Sequence, residues 1–157
     1  MSKLIFGITR LVLACVLAPV LTFAQNTNPR FDSLLAQRLG ADDYGMKLYV
    51  FVILKTGPNK TADKNFIDSC FAGHMMNMGR LVEEQKLVVA GPFGKNDQQF
   101  RGLFILNVSN PEEATKLIQT DPAVNAGLLA VELFPWYGSA ALSEYLHAAD
   151  KIWKLKP

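Results

Sequence analysis

Residues 46–55, MKLYVFVILK, decide how this chain folds. Apolar side chains occupy both alternating faces of the stretch: Leu48, Val50, Val52 and Leu54 on one, and Tyr49, Phe51 and Ile53 on the other. This pattern is typical of a strand that is buried on both sides. We therefore predict a first strand at 46–55 whose two faces both need a cover.

The residues that follow alternate between helical and extended patterns. We predict a helix at 62–85 with Thr61 as its cap, strands at 86–93 and 103–108, a helix at 111–121 and a strand at 128–137. Asn110 caps the second helix, and Asp121 ends it because the residue before a proline disfavours the α conformation. Pro135 is expected to end the last strand. The order βαββαβ indicates an α+β ferredoxin-like fold, in which an antiparallel four-stranded sheet carries both helices on one face.

The second face of this predicted sheet would be bare. Strands one and three are apolar on both sides, and a monomer would expose a large apolar patch there. Pairing of two copies through the open sheet face is the simplest cover, which predicts a homodimer. The alternative is that the N-terminal or C-terminal segment folds back over this face.

The N-terminus has the features of a secretory signal peptide. Lys3 and Arg10 precede an apolar run from Leu11 to Phe23, and Ala24 offers a small residue for cleavage before Gln25. The alternatives are a membrane anchor, for which the run is short, and a lipoprotein signal ending at Cys15. We predict an exported protein, periplasmic or secreted, with no stable membrane insertion once the signal is removed.

The predicted organisation has four parts: a signal peptide at 1–24, an N-terminal tether with a short helix at 25–45, the α+β domain at 46–138 and a C-terminal helical tail at 139–157. The chain has 16 Lys plus Arg against 14 Asp plus Glu. Lys3 and Arg10 account for this excess, so the mature chain is neutral and shows no basic stripe for nucleic acid. Cys70 is the one cysteine left after cleavage, which precludes an intramolecular disulfide.

His74 is the first candidate for chemistry. It lies at the centre of the apolar stripe of the first predicted domain helix, where an imidazole can act as a general base. The alternative is a core histidine whose nitrogens are satisfied by backbone groups. Asp121 follows the other helix on the same face of the sheet, where its carboxylate could orient the His74 ring. Alternatively, Asp121-Pro122 is only a helix stop.

Five further residues are candidates for lining a pocket: Gly91, Pro92, Phe93, Arg101 and Trp136. A glycine at a strand end permits close approach of a ligand, and Arg101 could place positive charge at the rim, as could the loop at 55–60. A plain turn, solvated charges and a dimer seam at Trp136 explain the same residues.

Several kinds of site are not indicated by the sequence. The two histidines and the remaining cysteine do not have the spacing of a zinc ligand set. The chain has neither a glycine-rich phosphate loop nor a serine nucleophile motif. We therefore expect a protein that works without a metal or another cofactor.

A set of short motifs carries a family resemblance. They are His74, Gly79-Arg80-Leu81, LVVAGPF at 87–93, Arg101-Gly102, Pro111-Glu112-Glu113-Ala114, Asp121-Pro122, Gly127 and Pro135-Trp136. In this order and spacing the chain resembles the YCII-related family over about Met46 to Tyr137. The resemblance implies a dimeric α/β-barrel assembly and a His and Asp pair in a pocket, which falls on His74 and Asp121. Many members are small cytoplasmic proteins, so the signal peptide and the tail are departures.

Two classes of function follow. One is a cofactor-free lyase or isomerase in which His74 moves a proton on a small organic molecule. The other is a non-catalytic dimeric module that binds a small ligand or another exported protein. A third option, haem binding through His74, follows only from distant relatives of the barrel fold.

Overall fold

A computed structural model of the protein describes residues 28–154. The predicted signal peptide at 1–24 lies outside the described residues. Residues 28–31 group separately from the chain that follows, and there the Phe31 N–H donates to the Asn28 carbonyl at 3.0 Å. Within 28–154, no helix is both long and apolar enough to cross a lipid bilayer.

Residues 28–154 form four strands and five α-helices. They are α1 (Ser33–Leu39), β1 (Met46–Thr56), α2 (Lys64–Glu83), β2 (Leu87–Pro92), β3 (Phe100–Leu106), α3 (Pro111–Ile118), α4 (Pro122–Asn125), β4 (Leu129–Ser139), a 3-10 helix (Ala140–Tyr145) and α5 (Leu146–Ile152). Helix α1 has the expected ends, with the Asp32 side chain capping its N-terminus and Gly40 in the left-handed conformation after its last residue.

The strands form one sheet of order β2-β3-β1-β4 in which all neighbours are antiparallel. In the middle of β1, Val52 pairs with Phe104 of β3 and with Leu133 of β4. Each connection through a helix joins two strands that have one other strand between them. Strand β3 lies between β1 and β2, and β1 lies between β3 and β4. The structure thus confirms the predicted α+β ferredoxin-like fold.

The main core lies between the sheet and the helices. It includes Val50, Val52 and Leu54 of β1, Phe104 and Leu106 of β3, Leu81 of α2, and Ala114 and Ile118 of α3. Burial of these side chains is the principal stabilising contribution, at about 25 cal/mol for each Å² of apolar surface removed from water. Cys70 is a buried free thiol in the same core.

The C-terminal segment covers part of the opposite sheet face. Leu142 and Leu146 pack against Tyr49, Val88 and Ile105, and the Tyr145 hydroxyl donates to the Val88 carbonyl. For this part of the face, the structure therefore shows the alternative in which a terminal segment folds back. Towards β4 the same face stays open: 46% of Phe134 and 37% of Trp136 are exposed.

Several predicted boundaries were wrong. Asp63, not Thr61, caps α2, because its carboxylate accepts from the Phe66 N–H at 3.1 Å. Strand β3 begins and ends earlier than predicted, at Phe100–Leu106. Pro135 does not end β4, since it pairs with Val50 on an edge strand, where a missing N–H is tolerated.

The C-terminal tail, predicted to be helical, is not one continuous helix. It begins as a 3-10 helix at Ala140–Tyr145 and becomes α-helical only at Leu146. The Ser139 side chain caps the first turn by accepting from the Ala141 N–H at 3.3 Å. This shape lets the segment follow the sheet surface.

Candidate active site

Helix α2 directs His74 towards the core. The buried residues of this helix are Cys70, His74, Asn77 and Leu81, which recur every three or four positions and therefore form one face. His74 is 8% exposed. Its ring stacks on Phe104 of β3 with 5.9 Å between centroids and meets the edge of Phe71 at 6.1 Å. The imidazole is therefore held between helix and sheet.

Asp121 is placed by a helix start that the sequence did not predict. Instead of ending α3, Asp121 is the N-cap of the short helix α4. Its Oδ1 accepts from the backbone N–H groups of Ala123 at 2.9 Å and Val124 at 3.4 Å. These bonds fix the carboxylate, and the residue is 0% exposed.

His74 and Asp121 form a direct buried pair. The distance from His74 Nδ1 to Asp121 Oδ2 is 2.5 Å. An ionised carboxylate can only accept hydrogen bonds, so Nδ1 donates and the lone pair of the neutral ring lies on Nε2. The pairing thus determines which ring nitrogen is able to accept a proton.

The Nε2 atom of His74 has no hydrogen-bond partner within residues 28–154, the described part of the chain. In contrast, every side-chain nitrogen or oxygen of those residues that is completely buried has a hydrogen-bond partner. It follows that Nε2 retains some accessible surface. The ring is therefore not the fully satisfied core histidine of the alternative interpretation.

Comparison with known proteins shows which family the chain belongs to. A family model described as the YCII-related domain matches residues 48–137, more than half of the 157-residue chain. The chain belongs to the YCII-related family. The matched range runs from β1 into β4 and contains both His74 and Asp121, and it confirms the resemblance found in the sequence. Helix α1 and the C-terminal segment lie outside this YCII-related domain.

Curated proteins yielded no match to the chain. Among solved structures, the chain is similar to 5-chloro-2-hydroxyhydroquinone dehydrochlorinase (TftG) from Burkholderia phenoliruptrix AC1100, determined in complex with 2,5-dihydroxybenzoquinone. The two are 24% identical, with a TM-score of 0.40, and the similarity covers 55% of this chain and 92% of that chain.

Polar contacts beside the pair were not predicted from the sequence. Asn77 is 9% exposed, and its Oδ1 lies 2.8 Å from Arg80 Nη2 and 2.9 Å from Thr120 Oγ1. Arg80 Nη2 also donates to Thr120 Oγ1 at 2.9 Å. These contacts join α2 to the residue just before Asp121. The position of Asn77 three residues after His74, on the same helix face, was the available signal.

The loop between β1 and α2 fixes the other side of α4. The N–H groups of Gly57 and Asn59 donate to the carbonyls of Leu128 and Gly127, each at 2.9 Å. The Asn59 side chain donates to the Ala126 carbonyl at 2.8 Å. Helix α4 is thus held between this loop and α2, which determines where the Asp121 carboxylate lies.

The predicted pocket residues of the YCII-related domain lie on three strands of the sheet and directly after one of them. Gly91 and Pro92 are in β2 and pair with Leu103 and Gly102, while Phe93 follows them and its N–H donates to the Arg101 carbonyl. Trp136 is on the other edge strand, β4, with its ring 5.8 Å from that of Tyr49 on the sheet face opposite the helices. The structure does not bring Trp136 together with His74.

Two cavities also lie away from the pair. One of about 400 Å³ is bounded by α1, the end of α2 and the C-terminal segment, with Leu39, Lys47, Val82, Val88 and Leu146 in its lining. A more open one of about 480 Å³ lies beside Lys47, Leu48 and Asn107. Neither is lined by His74 or Asp121. In the described part of the chain, no cluster of three His, Cys, Asp or Glu side chains could hold a metal ion.

Proposed function

We propose that the protein is a cofactor-independent enzyme that transfers a proton on a small organic molecule, in a lyase or isomerase reaction. The observation that carries the proposal is the 2.5 Å contact between His74 Nδ1 and Asp121 Oδ2, which leaves Nε2 unbonded within residues 28–154. In this arrangement His74 is the general base and Asp121 holds its ring and tautomer.

The surroundings of the pair support this assignment. The rings of Phe71 and Phe104 contact the imidazole and limit the access of water to it. Electrostatic interactions are stronger in such a site than in bulk water, which favours stabilisation of charge that develops during a proton transfer. The same Nε2 that takes the proton can return it at a second position or to a leaving group.

The test replaces His74 by alanine. Turnover of a substrate found by screening small organic acids should fall about 10²- to 10⁴-fold, the usual contribution of a general base. His147→Ala is the matched control, because His147 is the other histidine and its side chain is 75% exposed on α5. Circular dichroism would show that both variants fold. Turnover that survives in folded His74→Ala would overturn the proposal.

A second candidate function is non-catalytic binding of a small ligand. The observation that favours it is the cavity of about 400 Å³, which is bounded in part by segments outside the YCII-related domain and is not lined by His74. Lys47 lines this cavity and donates to the Leu39 carbonyl at 3.0 Å, and burial lowers the pKa of its ammonium group. A ligand bound there should raise the melting temperature equally in the wild type and in His74→Ala.

We propose further that two copies pair through the open part of the sheet face. Phe134 and Trp136 are exposed there, beside the partly exposed Phe51. Phe134→Glu should convert a dimer into a monomer in sedimentation equilibrium. Phe66→Glu is the control, because Phe66 is 42% exposed but lies on α2 on the helical side of the sheet. A wild-type monomer at all concentrations would contradict the pairing.

We also propose that the protein is exported. The support is the sequence of residues 1–24, with its basic start, apolar run and small residue before Gln25. Mature protein recovered outside the cytoplasm should begin at Gln25. Full-length protein that starts at Met1 and stays in the cytoplasm would rule out export.

A further inference from the structure

Helix α2 presents two nearly buried side chains that each have one nitrogen without a hydrogen-bond partner among the residues that the structure describes. His74 is 8% exposed and Asn77 is 9% exposed. His74 Nε2 makes no hydrogen bond within residues 28–154, and neither does Asn77 Nδ2. Fully shielded nitrogen and oxygen atoms of those residues all have partners, so both of these nitrogens keep some accessible surface.

The orientation of the Asn77 amide is determined by its partners. Arg80 Nη2 lies 2.8 Å from one end of the amide, and a guanidinium can only donate. That end must therefore be the oxygen, which also lies 2.9 Å from Thr120 Oγ1. The –NH2 group is consequently turned away from Arg80 and Thr120, with its donors unpaired among the described residues.

The two free groups are chemically complementary. His74 Nε2 is an acceptor of protons and Asn77 Nδ2 is a donor of hydrogen bonds. They lie three residues apart on one helix face, where Cβ atoms are separated by about 5 to 6 Å. A small molecule that gives up a proton to the first nitrogen can place an oxygen near the second.

We propose that Asn77 is a catalytic residue that stabilises an oxyanion, and that the substrate is a small molecule with an enolisable carbonyl group. This inference rests on the proposed function of His74 and names the substrate class of that site. A hydrogen-bond donor assists a general base only if removal of the substrate proton places negative charge on a substrate oxygen that the donor can contact. A C–H bond next to a carbonyl has this property.

The step is balanced without a co-reactant. The C–H bond next to the carbonyl breaks and its proton moves to His74 Nε2. The electron pair forms a carbon–carbon double bond, and the carbonyl π electrons move to the oxygen, which accepts a hydrogen bond from Asn77 Nδ2. The proton then returns at another carbon in an isomerisation, or a leaving group departs with its electron pair in an elimination.

The experiment measures deuterium uptake by carbonyl probes in D2O. Levulinic acid and cyclohex-2-enone are incubated with the mature protein, and loss of the proton signals next to the carbonyl is followed by NMR. Wild-type protein should accelerate exchange of at least one probe, and His74→Ala should not. Asn77→Asp should lower kcat about 10²- to 10³-fold with little change in KM, the effect of removing one oxyanion donor.

Asn77→Asp is the informative variant because an aspartate at this position still accepts from Arg80 and Thr120. It removes the donor and leaves the contacts of α2 intact. Asn77→Ala removes the donor without adding a charge, and it should also lose exchange if it folds. Asn65→Asp is the matched control: Asn65 is an exposed amide on the same helix, so this substitution adds the same charge away from His74 and should keep the wild-type kcat.

The outcomes separate the two proposals. Exchange that is lost in His74→Ala but kept in Asn77→Asp overturns the role of Asn77 and leaves the His74 proposal standing. Exchange that is unchanged in His74→Ala overturns the proposed function itself. If wild-type protein exchanges neither probe, the enolisable substrate class is overturned, and His74 is judged by the separate substrate screen.

Discussion

Gly73 and Pro122 are in direct contact, and this contact brings the candidate catalytic pair together. A Cβ atom on Gly73 would lie 2.8 Å from Pro122 Cγ and 3.2 Å from its Cβ. Each residue is the chain neighbour of one member of the pair, Gly73 of His74 and Pro122 of Asp121. The absence of a side chain at residue 73 therefore permits the close approach of α2 and α4 that the short bond between His74 and Asp121 requires.

Gly73→Ala should lower kcat strongly and the free energy of unfolding only moderately. The new methyl group must push the Pro122 ring away, which overpacks the contact and costs about 1 to 3 kcal/mol. Part of that cost is offset, because alanine favours a helix over glycine by about 1 kcal/mol. Displacement of α4 should lengthen the bond between His74 and Asp121, so kcat should fall with only a moderate loss of stability in urea unfolding.

The control for this variant lies on the same helix. A Cβ on Gly79 would meet no atom of residues 28–154 within 4 Å, so Gly79→Ala should raise the free energy of unfolding by about 0.5 to 1 kcal/mol and leave kcat unchanged. Equal kcat in the two alanine variants would show that the approach of Gly73 to Pro122 does not set the geometry of the pair.

Asp121→Asn should separate the structural role of this residue from its role towards His74. Asparagine caps a helix as well as aspartate does, so α4 should persist. The amide –NH2 would then face His74 Nδ1, favouring the tautomer with its proton on Nε2, which cannot act as a base. We expect kcat to fall by about 10²- to 10⁴-fold with little change in melting temperature. Asp121→Ala should also lose about 0.5 to 2 kcal/mol of stability with the cap.

Gly57→Ala should destabilise the protein strongly. A Cβ at this position would lie 2.1 Å from the Gly127 carbonyl oxygen, and backbone atoms cannot move aside as a side chain can. We expect a loss of about 3 kcal/mol in the free energy of unfolding, measured with urea. Gly91→Ala is the comparison, because in the described part of the chain its Cβ would meet nothing within 4 Å, and stability should change by less than about 1 kcal/mol. Similar effects of the two substitutions would contradict this interpretation of the loop contact.

The Asp42–Tyr137 hydrogen bond should make stability depend on pH at both extremes. This bond raises the pKa of Tyr137 from 10.0 to about 12 and, with the Met46 and Tyr44 amides, lowers the pKa of Asp42 below 3.8. A lowered carboxyl pKa stabilises the fold above about pH 4, and this contribution is lost as pH falls through the folded value. A raised phenol pKa stabilises it below about pH 10, and this contribution is lost as pH rises towards 12.

Tyr137→Phe therefore should lower the melting temperature most between those limits. The difference from wild type should shrink in strong acid and in strong base. An ultraviolet titration should lose its latest-ionising tyrosine in this variant but not in Tyr44→Phe, whose ring is 87% exposed. A constant difference across the pH range would show that the hydrogen bond to Asp42 is not the cause.

Local patterns were sufficient to predict the layers of the fold. The two apolar faces of 46–55 predicted a strand that is covered on both faces, and β1 contributes Val50 and Val52 to the core beneath the helices and Tyr49 to the cluster on the opposite face. The pattern of 46–55 did not show which segment covers the second sheet face. The C-terminal segment that covers part of it is not a regular helix, since it begins with the 3-10 turn at Ala140–Tyr145. Strand ends were missed where an edge position tolerated Pro135, since pairing partners are not visible in a linear sequence.

The candidate site was predicted only in part. The helical stripe of α2 placed His74 inward, and the Asp121-Pro122 boundary indicated a carboxylate near it. That Asp121 begins α4 depended on side-chain hydrogen bonds to Ala123 and Val124, which residue preferences alone do not distinguish from a helix stop. Asn77 was overlooked because an amide on a helix acquires meaning only from its contacts with Arg80 and Thr120.

The sequence by itself determined the order of the strands and helices, the family and the inward face that carries His74, because these depend on the spacing of apolar residues and on local caps. Only the tertiary structure decided that His74 meets Asp121 across 47 positions and that Trp136 lies on the other side of the sheet. It also decided that two side-chain nitrogens of α2 have no hydrogen-bond partner among residues 28–154. The pairing of His74 with Asp121 depends on how closely α2 and α4 approach each other. The contact between Gly73 and Pro122 sets that distance, and this contact exists only in the folded chain.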